Sequence, residues 1–90
     1  MFIASSRYLV PLDEVELVRP AHLEFMGRLA AAGRIVTAGR RNPPEGGVII
    51  LRAANRADAE ATMADDPYVK NGTAEYTITE FSAVMGDVRD

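Results

Sequence analysis

The order in which short apolar segments and helical segments follow one another restricts the fold of this chain more than any other feature. Four segments show the apolar runs or the alternation typical of strands, and we predict strands over residues 2–10, 34–41, 48–51 and 74–81. In the first strand, Phe2, Ala4 and Tyr8 share one face, and in the last Tyr76 and Ile78 do so. The third strand is apolar without interruption, which predicts burial on both of its faces.

A first helix is predicted between the first two strands. Asp13 and Glu16 form a capping-box-like pair, which indicates that the residues leading to this helix are themselves helical. Pro20 suits the first turn of the helix itself, where its missing N–H leaves no hydrogen bond unmade. Gly33 is a natural residue to end it. We therefore expect residues 19–22 to begin this helix.

A second helix is predicted from Arg56 to about Ala64. Asn55 can cap its N-terminus, because its side-chain oxygen can accept a hydrogen bond from a free N–H of the first turn. Asp66 and Pro67 end it, because a residue before proline avoids the α region.

The resulting order, β-α-β-β-α-β, is that of the ferredoxin-like α+β fold. Right-handed crossovers place both helices on one face of a four-stranded antiparallel sheet. The other face carries apolar side chains without a cover, so we expect it to bind a second copy of the chain, as a homodimer or part of a higher oligomer. We expect a single domain over residues 1–90, with an ordered core to about residue 83 and a short C-terminal tail.

The composition argues against several classes of function. Because cysteine is absent, disulfides, thiolate nucleophiles and cysteine zinc sites are excluded, and a single histidine argues against a catalytic zinc. We expect no metal and no cofactor; haem or flavin chemistry is a weaker alternative because no binding motif supports it. A net charge of −3 argues against nucleic acid. With no signal-peptide pattern and no segment of about 20 apolar residues, we expect a cytoplasmic protein that does not bind membranes.

The predicted topology brings the only histidine, His22, to the same end of the molecule as Asp66. If the first strand runs upward, the first helix starts at the top and the second helix ends there. The end of the second strand, residues 39–41, lies at the same place. Neighbouring helices pack about 8–10 Å apart, a gap that a histidine and an aspartate can bridge. An imidazole held by a carboxylate is a general base with an orienting partner.

These residues also have structural interpretations. His22 and Asp66 are compatible with a hydrogen bond that only holds a helix to a loop. Tyr68 is compatible with a pocket wall or with an ordinary half-buried aromatic. A Ser-His-Asp triad that uses Ser5 or Ser6 is a weak option, because no second base lies within reach of these hydroxyls.

The end of the second strand allows similar alternatives. Gly39 either permits a close backbone approach or marks a bulge. Arg40 and Arg41 either meet an anion at the mouth of a pocket or stay solvated, since adjacent residues of a strand point to opposite faces. The turn over residues 43–47 has two glycines but no phosphate-loop pattern, so we interpret it as a hairpin connection.

The residues that carry these features resemble the YCII-related (YciI-like) family. The matching pieces are Val18-Arg-Pro-Ala-His-Leu23, then Gly33-Arg34 with Thr37-Ala-Gly39, and Asp66-Pro-Tyr-Val69 with Gly72 and Glu75. They occur in the family's order and roughly its spacing, and they cover essentially the whole chain as far as Phe81. The combination of Arg-Pro-x-His with Asp-Pro-aromatic is the most specific element.

The resemblance implies a dimeric α/β-barrel arrangement, in which two sheets pack face to face, and a cleft where a histidine and an aspartate pair. These positions fall on His22 and Asp66. It also implies chemistry of the kind found in relatives that remove chloride from chlorinated hydroxyhydroquinones, or in muconolactone isomerase-like barrels. One position departs from the family pattern, because Arg40 stands where proline often follows Thr-Ala-Gly.

The sequence therefore predicts a cofactor-free enzyme that transfers protons on a small, cyclic, hydroxylated molecule by elimination or isomerisation. His22 is predicted to move the proton and Asp66 to fix its tautomer. Arg19, with Arg40 as the second candidate, is predicted to bind a substrate oxyanion, beside Gly39 and Tyr68. The alternative is a non-catalytic dimeric module that binds a small molecule or assists another protein.

Overall fold

A computed structural model describes all 90 residues of the chain. Its elements are β1 (Phe2–Tyr8), α1 (Leu12–Ala31), β2 (Ile35–Arg40), β3 (Gly47–Leu51), α2 (Arg56–Ala64), α3 (Pro67–Lys70) and β4 (Ala74–Glu80). The predicted β-α-β-β-α-β order is confirmed, and α3 adds one short helical turn to it. The strands end within one or two residues of their predicted limits.

The four strands form one antiparallel sheet in the order β2-β3-β1-β4. Its register aligns Ala38, Ile49, Ala4 and Ile78 across the sheet. An irregularity between Ile35 and Thr37 shifts the pairing of β2 with β3 by one residue. Such a bulge re-aims the side chains that follow it, and so sets which residues of β2 face the helices.

The main core lies between the sheet and the helices. Its buried members are Phe2, Ala4, Phe25, Leu29, Ile49, Leu51, Ala59 and Met63. A second, smaller cluster consists of Val15, Tyr68 and Ala74, and it packs the start of α1 against α3 and β4. This second cluster lies beside the residues predicted to form the site.

The opposite face of the sheet has no cover within the chain. Ile3 and Ile50 are paired on it and are half-buried, because they alternate with the core residues of β1 and β3. The prediction that the third strand is buried on both faces was therefore wrong for this chain alone. Only Ile49 and Leu51 of that run are buried.

The start of the first helix was predicted too late. The helix α1 begins at Leu12, so Pro20 lies inside it as an exposed residue and His22 is in its middle. The predicted capping box is not formed, since Pro11 precedes the helix and no side chain caps it. The helix continues through Pro20 because burial of Val15 offsets the one backbone hydrogen bond that proline removes. Although α1 has 20 residues, no helix combines the length and the apolar character needed to cross a membrane.

The second helix follows its prediction. It spans Arg56–Ala64, and the side chain of Asn55 accepts a hydrogen bond of 2.8 Å from the N–H of Asp58. The turn α3, which was not predicted, begins directly after it. Asp66 caps this turn and Pro67 is its first residue, so the dipeptide that ends one helix also starts the next.

Candidate active site

One face of α1 supplies a wall of the site. It carries four lining residues that pair at spacings of three or four, namely Arg19, His22, Leu23 and Met26, and a helix places residues three and four apart on one face. The helix is long enough to carry His22 past the end of α2, where α3 begins. His22 therefore meets Asp66 from the middle of its helix, where the partial charge of a helix terminus no longer acts.

Asp66 is fully buried and every donor that surrounds it points at its carboxylate. As the cap of α3 it accepts a hydrogen bond of 3.0 Å from the N–H of Tyr68. The hydroxyl of Tyr76 donates to its Oδ2 at 2.6 Å. Nδ1 of His22 lies 2.9 Å from both of its oxygens. A carboxylate without solvent is stable only with such partners, so these three groups are what keep Asp66 in the interior.

The position of Asp66 determines which nitrogen of His22 is available for chemistry. The carboxylate offers only acceptors, so Nδ1 carries a hydrogen and donates it. In the neutral ring Nε2 is then the unprotonated nitrogen, and it makes no hydrogen bond within the chain. The ring stacks on Tyr68 with centroids 4.0 Å apart and planes 8° from parallel. Stacking and the carboxylate together fix the ring, and its side chain stays 16% exposed.

Two tyrosines keep their protons in this environment. Burial raises the pKa of Tyr68 to about 12, and the neighbouring Tyr8 contributes to the same shift. Burial also raises the pKa of Tyr76 well above its usual range, and the hydrogen bond to Asp66 adds to this effect. Because its phenol stays neutral, Tyr76 acts as a permanent hydrogen-bond donor to Asp66.

A cavity of about 330 Å³ lies between α1 and the sheet, and His22 is part of its wall. A volume of this size is sufficient for a small ring compound. Its lining residues are Ser6, Tyr8, Arg19, His22, Leu23, Met26, Ala38, Gly39, Arg40, Gly46, Gly47, Val48, Ile49, Tyr68 and Tyr76. The residues predicted to bind substrate, Arg19, Gly39, Arg40 and Tyr68, are all among them. Asp66 lies behind this wall.

The hairpin between β2 and β3 closes the floor of the cavity. A Cβ atom on Gly46 would overlap the carbonyl oxygen of Ser6, so only glycine fits there. The Ser6 hydroxyl accepts a hydrogen bond of 2.8 Å from the N–H of Gly47. This hydroxyl is therefore committed to the hairpin and makes no hydrogen bond to His22, which contradicts a Ser-His-Asp triad that uses Ser6.

At the end of β2, neither of the two alternatives predicted for Gly39 is observed. A Cβ on Gly39 would meet nothing within 4 Å, so the close backbone approach occurs at Gly46 instead. The bulge lies nearer the start of β2, before Thr37. The two arginines that follow Gly39 separate, as predicted for adjacent strand residues: Arg40 lines the cavity, whereas Arg41 donates to the carbonyl of Ser6 at 3.2 Å.

Sequence reasoning missed two residues of the site. Tyr76 was assigned only to the same face of its strand as Ile78, and Glu16 only to a capping pair. Glu16 in fact lies near the guanidinium groups of both Arg19 and Arg40. The signal for Glu16 was its spacing of three residues from Arg19, but the late predicted start of α1 concealed it. No group of three or more His, Cys, Asp or Glu side chains is arranged to hold a metal ion.

Comparisons with known proteins place this geometry among related folds. No curated protein matches the sequence. Among solved structures, the chain is similar to 5-chloro-2-hydroxyhydroquinone dehydrochlorinase (TftG) from Burkholderia phenoliruptrix AC1100, in complex with 2,5-dihydroxybenzoquinone. The TM-score is 0.76 at 19% identity, and the match covers 93% of this chain and 96% of the other. At this identity the likeness establishes the shared fold.

A family model for the YCII-related domain matches residues 1–82, which is nearly the whole chain. This agrees with the resemblance that the His22 and Asp66 segments suggested, and with the ferredoxin-like fold. The chain therefore belongs to the YCII-related family.

Proposed function

We propose that this protein is a cofactor-free acid–base enzyme that acts on a small, cyclic, hydroxylated molecule by elimination or isomerisation. One observation carries the proposal: Nδ1 of His22 lies 2.9 Å from both oxygens of the buried Asp66, and the same imidazole lines a cavity. A base needs a free nitrogen, a fixed orientation and room for a substrate beside it. All three conditions meet at His22.

In the proposed reaction, Nε2 of His22 removes a proton from a hydroxyl or an activated carbon of the ring. The electron pair left behind forms a new double bond. In an isomerisation a ring carbon takes the proton back from Nε2. In an elimination from an aromatic ring, the carbon that bears the chlorine takes this proton and becomes tetrahedral, and removal of a second hydroxyl proton by Nε2 then forms a carbonyl and expels chloride. The Asp66 carboxylate stabilises the imidazolium in between. Such general acid–base help is worth about 10²–10⁴ in rate.

The remaining lining residues would bind the substrate. Arg19 on α1 has a guanidinium fork suited to a ring oxyanion, with Arg40 on the opposite wall. Tyr68, which stacks on His22, would fix the plane of the ring beside the base. Gly39 leaves open space next to Arg40.

The similar solved structure supports the reaction class. Its name describes a dehydrochlorinase of a hydroxyhydroquinone, and its ligand is a dihydroxylated quinone. Removal of hydrogen chloride from such a ring is an elimination that a single base and an oxyanion site can perform. The identity of 19% leaves the substrate of this chain to experiment. The predicted cytoplasmic location stays a prediction.

A non-catalytic binding module is the alternative, and one observation favours it. Asp66 has a structural role of its own, because it caps α3 and accepts the hydroxyl of Tyr76. Its contact with His22 would then only hold α1 against α3. In that case the cavity would bind a metabolite without converting it.

The test is turnover of chlorinated and unchlorinated hydroxyhydroquinones, followed by chloride release and by absorbance. We expect His22→Ala to abolish turnover while circular dichroism shows an unchanged fold. Asp66→Asn should lower the rate about 10²-fold or more. Asp65→Asn is the matched control, because Asp65 is the exposed neighbour, and it should retain full activity. A His22→Ala protein that turns over as fast as the native one would refute the role of His22 as the base. A native protein that binds these rings without converting them would support the alternative.

A further inference from the structure

The cavity beside His22 is lined by positive charge although the chain as a whole is acidic. Its lining includes the guanidinium groups of Arg19 and Arg40 but no aspartate or glutamate. The net charge of the chain is −3. A concave site lined by one sign of charge attracts ligands of the other sign. This local reversal points to a ligand that carries negative charge.

Glu16 stands at the edge of this cavity, one helical turn before Arg19. Its Oε1 lies 3.5 Å from Nη1 of Arg19 and 3.7 Å from Nη2 of Arg40. One carboxylate oxygen thus faces two guanidinium groups from opposite walls. Both distances exceed those of an N–H···O hydrogen bond, so the contact is an attraction between charges without directional bonds.

The two guanidinium groups have unused donors. Neither the Arg19 guanidinium nor the Arg40 guanidinium makes a hydrogen bond within the chain, whereas that of the neighbouring Arg41 donates to the Ser6 carbonyl and that of Arg34 donates to Asp58. The side chains of Arg19 and Arg40 are 39% and 43% exposed, so a ligand can reach them. Guanidinium forks bind carboxylates and oxyanions most strongly when two N–H groups point at one anion. Arg19 and Arg40 together can therefore bind an anion through several hydrogen bonds, and Glu16 forms none with them.

We propose that Glu16 occupies the place of the substrate's anionic group while the cavity is empty, and that an anionic ring compound displaces it from Arg19 and Arg40. The proposal rests on the proposed function, because it assumes that a substrate enters the cavity beside His22. It narrows the substrate class to rings that bear a carboxylate or an ionised oxygen. Glu16 then lowers the affinity for every anion and leaves neutral rings unaffected.

The experiment compares two probes of the same shape, 2,5-dihydroxybenzoate and 2,5-dihydroxybenzamide, by NMR titration of the labelled protein. In Glu16→Gln we expect the affinity for the benzoate to rise by about 3–10-fold, because a nearby like charge is removed and both arginines are freed. The affinity for the benzamide should change by less than about twofold. Glu14→Gln removes the same charge from an exposed position of α1 without a contact to either arginine, and it should leave both affinities within about twofold.

Arg40→Gln in the Glu16→Gln background supplies a second measurement, and we expect it to cancel the gain for the benzoate. The proposal fails if Glu16→Gln leaves benzoate binding unchanged, if both probes gain equally, or if the benzoate does not bind beside His22 in either protein. A failure of this kind together with turnover that depends on His22 leaves the proposed enzyme intact. A gain for the benzoate without any such turnover overturns the proposed reaction and keeps the anion site.

Discussion

The hydrogen bond between Tyr76 and Asp66 makes a quantitative prediction about stability. Tyr76→Phe keeps the aromatic ring and removes only the hydroxyl that donates to Oδ2 of Asp66 at 2.6 Å. The acceptor is a fully buried carboxylate, which has no water to replace the lost donor. Hydrogen bonds to charged groups contribute about 1.5–3 kcal/mol, so we expect a loss of this size in the free energy of unfolding.

Urea denaturation followed by circular dichroism measures this loss. With a slope of about 1 kcal/mol/M for a small domain, the midpoint should fall by about 1.5–3 M. Tyr8→Phe is the matched control, because the Tyr8 hydroxyl makes no hydrogen bond in the chain while its ring also contacts Tyr68. The control should lie within about 0.5 kcal/mol of the native protein.

The outcome also tests the state of Asp66. A double variant with Asp66→Asn removes the charge that makes the bond strong, so the two changes should be non-additive by about 0.5–3 kcal/mol. A Tyr76→Phe protein as stable as the control would refute the reasoning. It would mean that the buried carboxylate is satisfied by His22 and Tyr68 alone, and that the short contact with Tyr76 contributes nothing.

Three further predictions follow from the packing of the chain. Gly46→Ala should destabilise the fold by about 3 kcal/mol or more in thermal unfolding, because the added Cβ has no space. Gly27→Ala on the open side of α1 is the control, and it should stabilise the fold by about 0.5–1 kcal/mol. Equal effects of the two substitutions would contradict the close approach of the hairpin to Ser6. The pKa of Tyr68 is raised from 10.0 to about 12 in the folded chain, so on raising the pH the Tyr68 phenol ionises first in the unfolded chain. The free energy of unfolding should therefore fall between pH 10 and about 12. NMR of the labelled Tyr68 ring should show no phenolate at pH 10. The predicted homodimer should dissociate in Ile50→Glu, as judged by sedimentation, because the side chain lies on the uncovered face; a native protein that sediments as a monomer would remove the prediction.

The fold was predictable from the sequence because its signals are local. Alternating apolar residues, the cap at Asn55 and the break at Asp66 are all visible in short windows. The start of α1 was not, because Pro20 is ordinarily a helix-start signal and only the burial of Val15 against Tyr68 and Ala74 shows that the helix began earlier. Tertiary packing overruled the local rule at this point.

The candidate site was predictable to a smaller extent. Chain topology sufficed to bring His22 and Asp66 to one end of the molecule, even with the wrong helix boundary. The partnership of Asp66 with Tyr76 depends on the register of β4 beside β1, which no local pattern encodes. The role of Glu16 depends on the approach of α1 to the end of β2, and this distance is set by packing alone.

Asp66 links the stability of the fold to the proposed chemistry. The same two oxygens cap α3, accept the phenol of Tyr76 and hold the ring of His22. Because each partner comes from a different element, the imidazole is in place only when α1, α3 and β4 are packed together. A buried group that is satisfied by three elements makes the orientation of the base cooperative, because the loss of one partner weakens the hold of the other two. Variants that loosen this packing should therefore lose the orientation of His22 before they lose the sheet, which hydrogen exchange at α3 and at β1 can resolve.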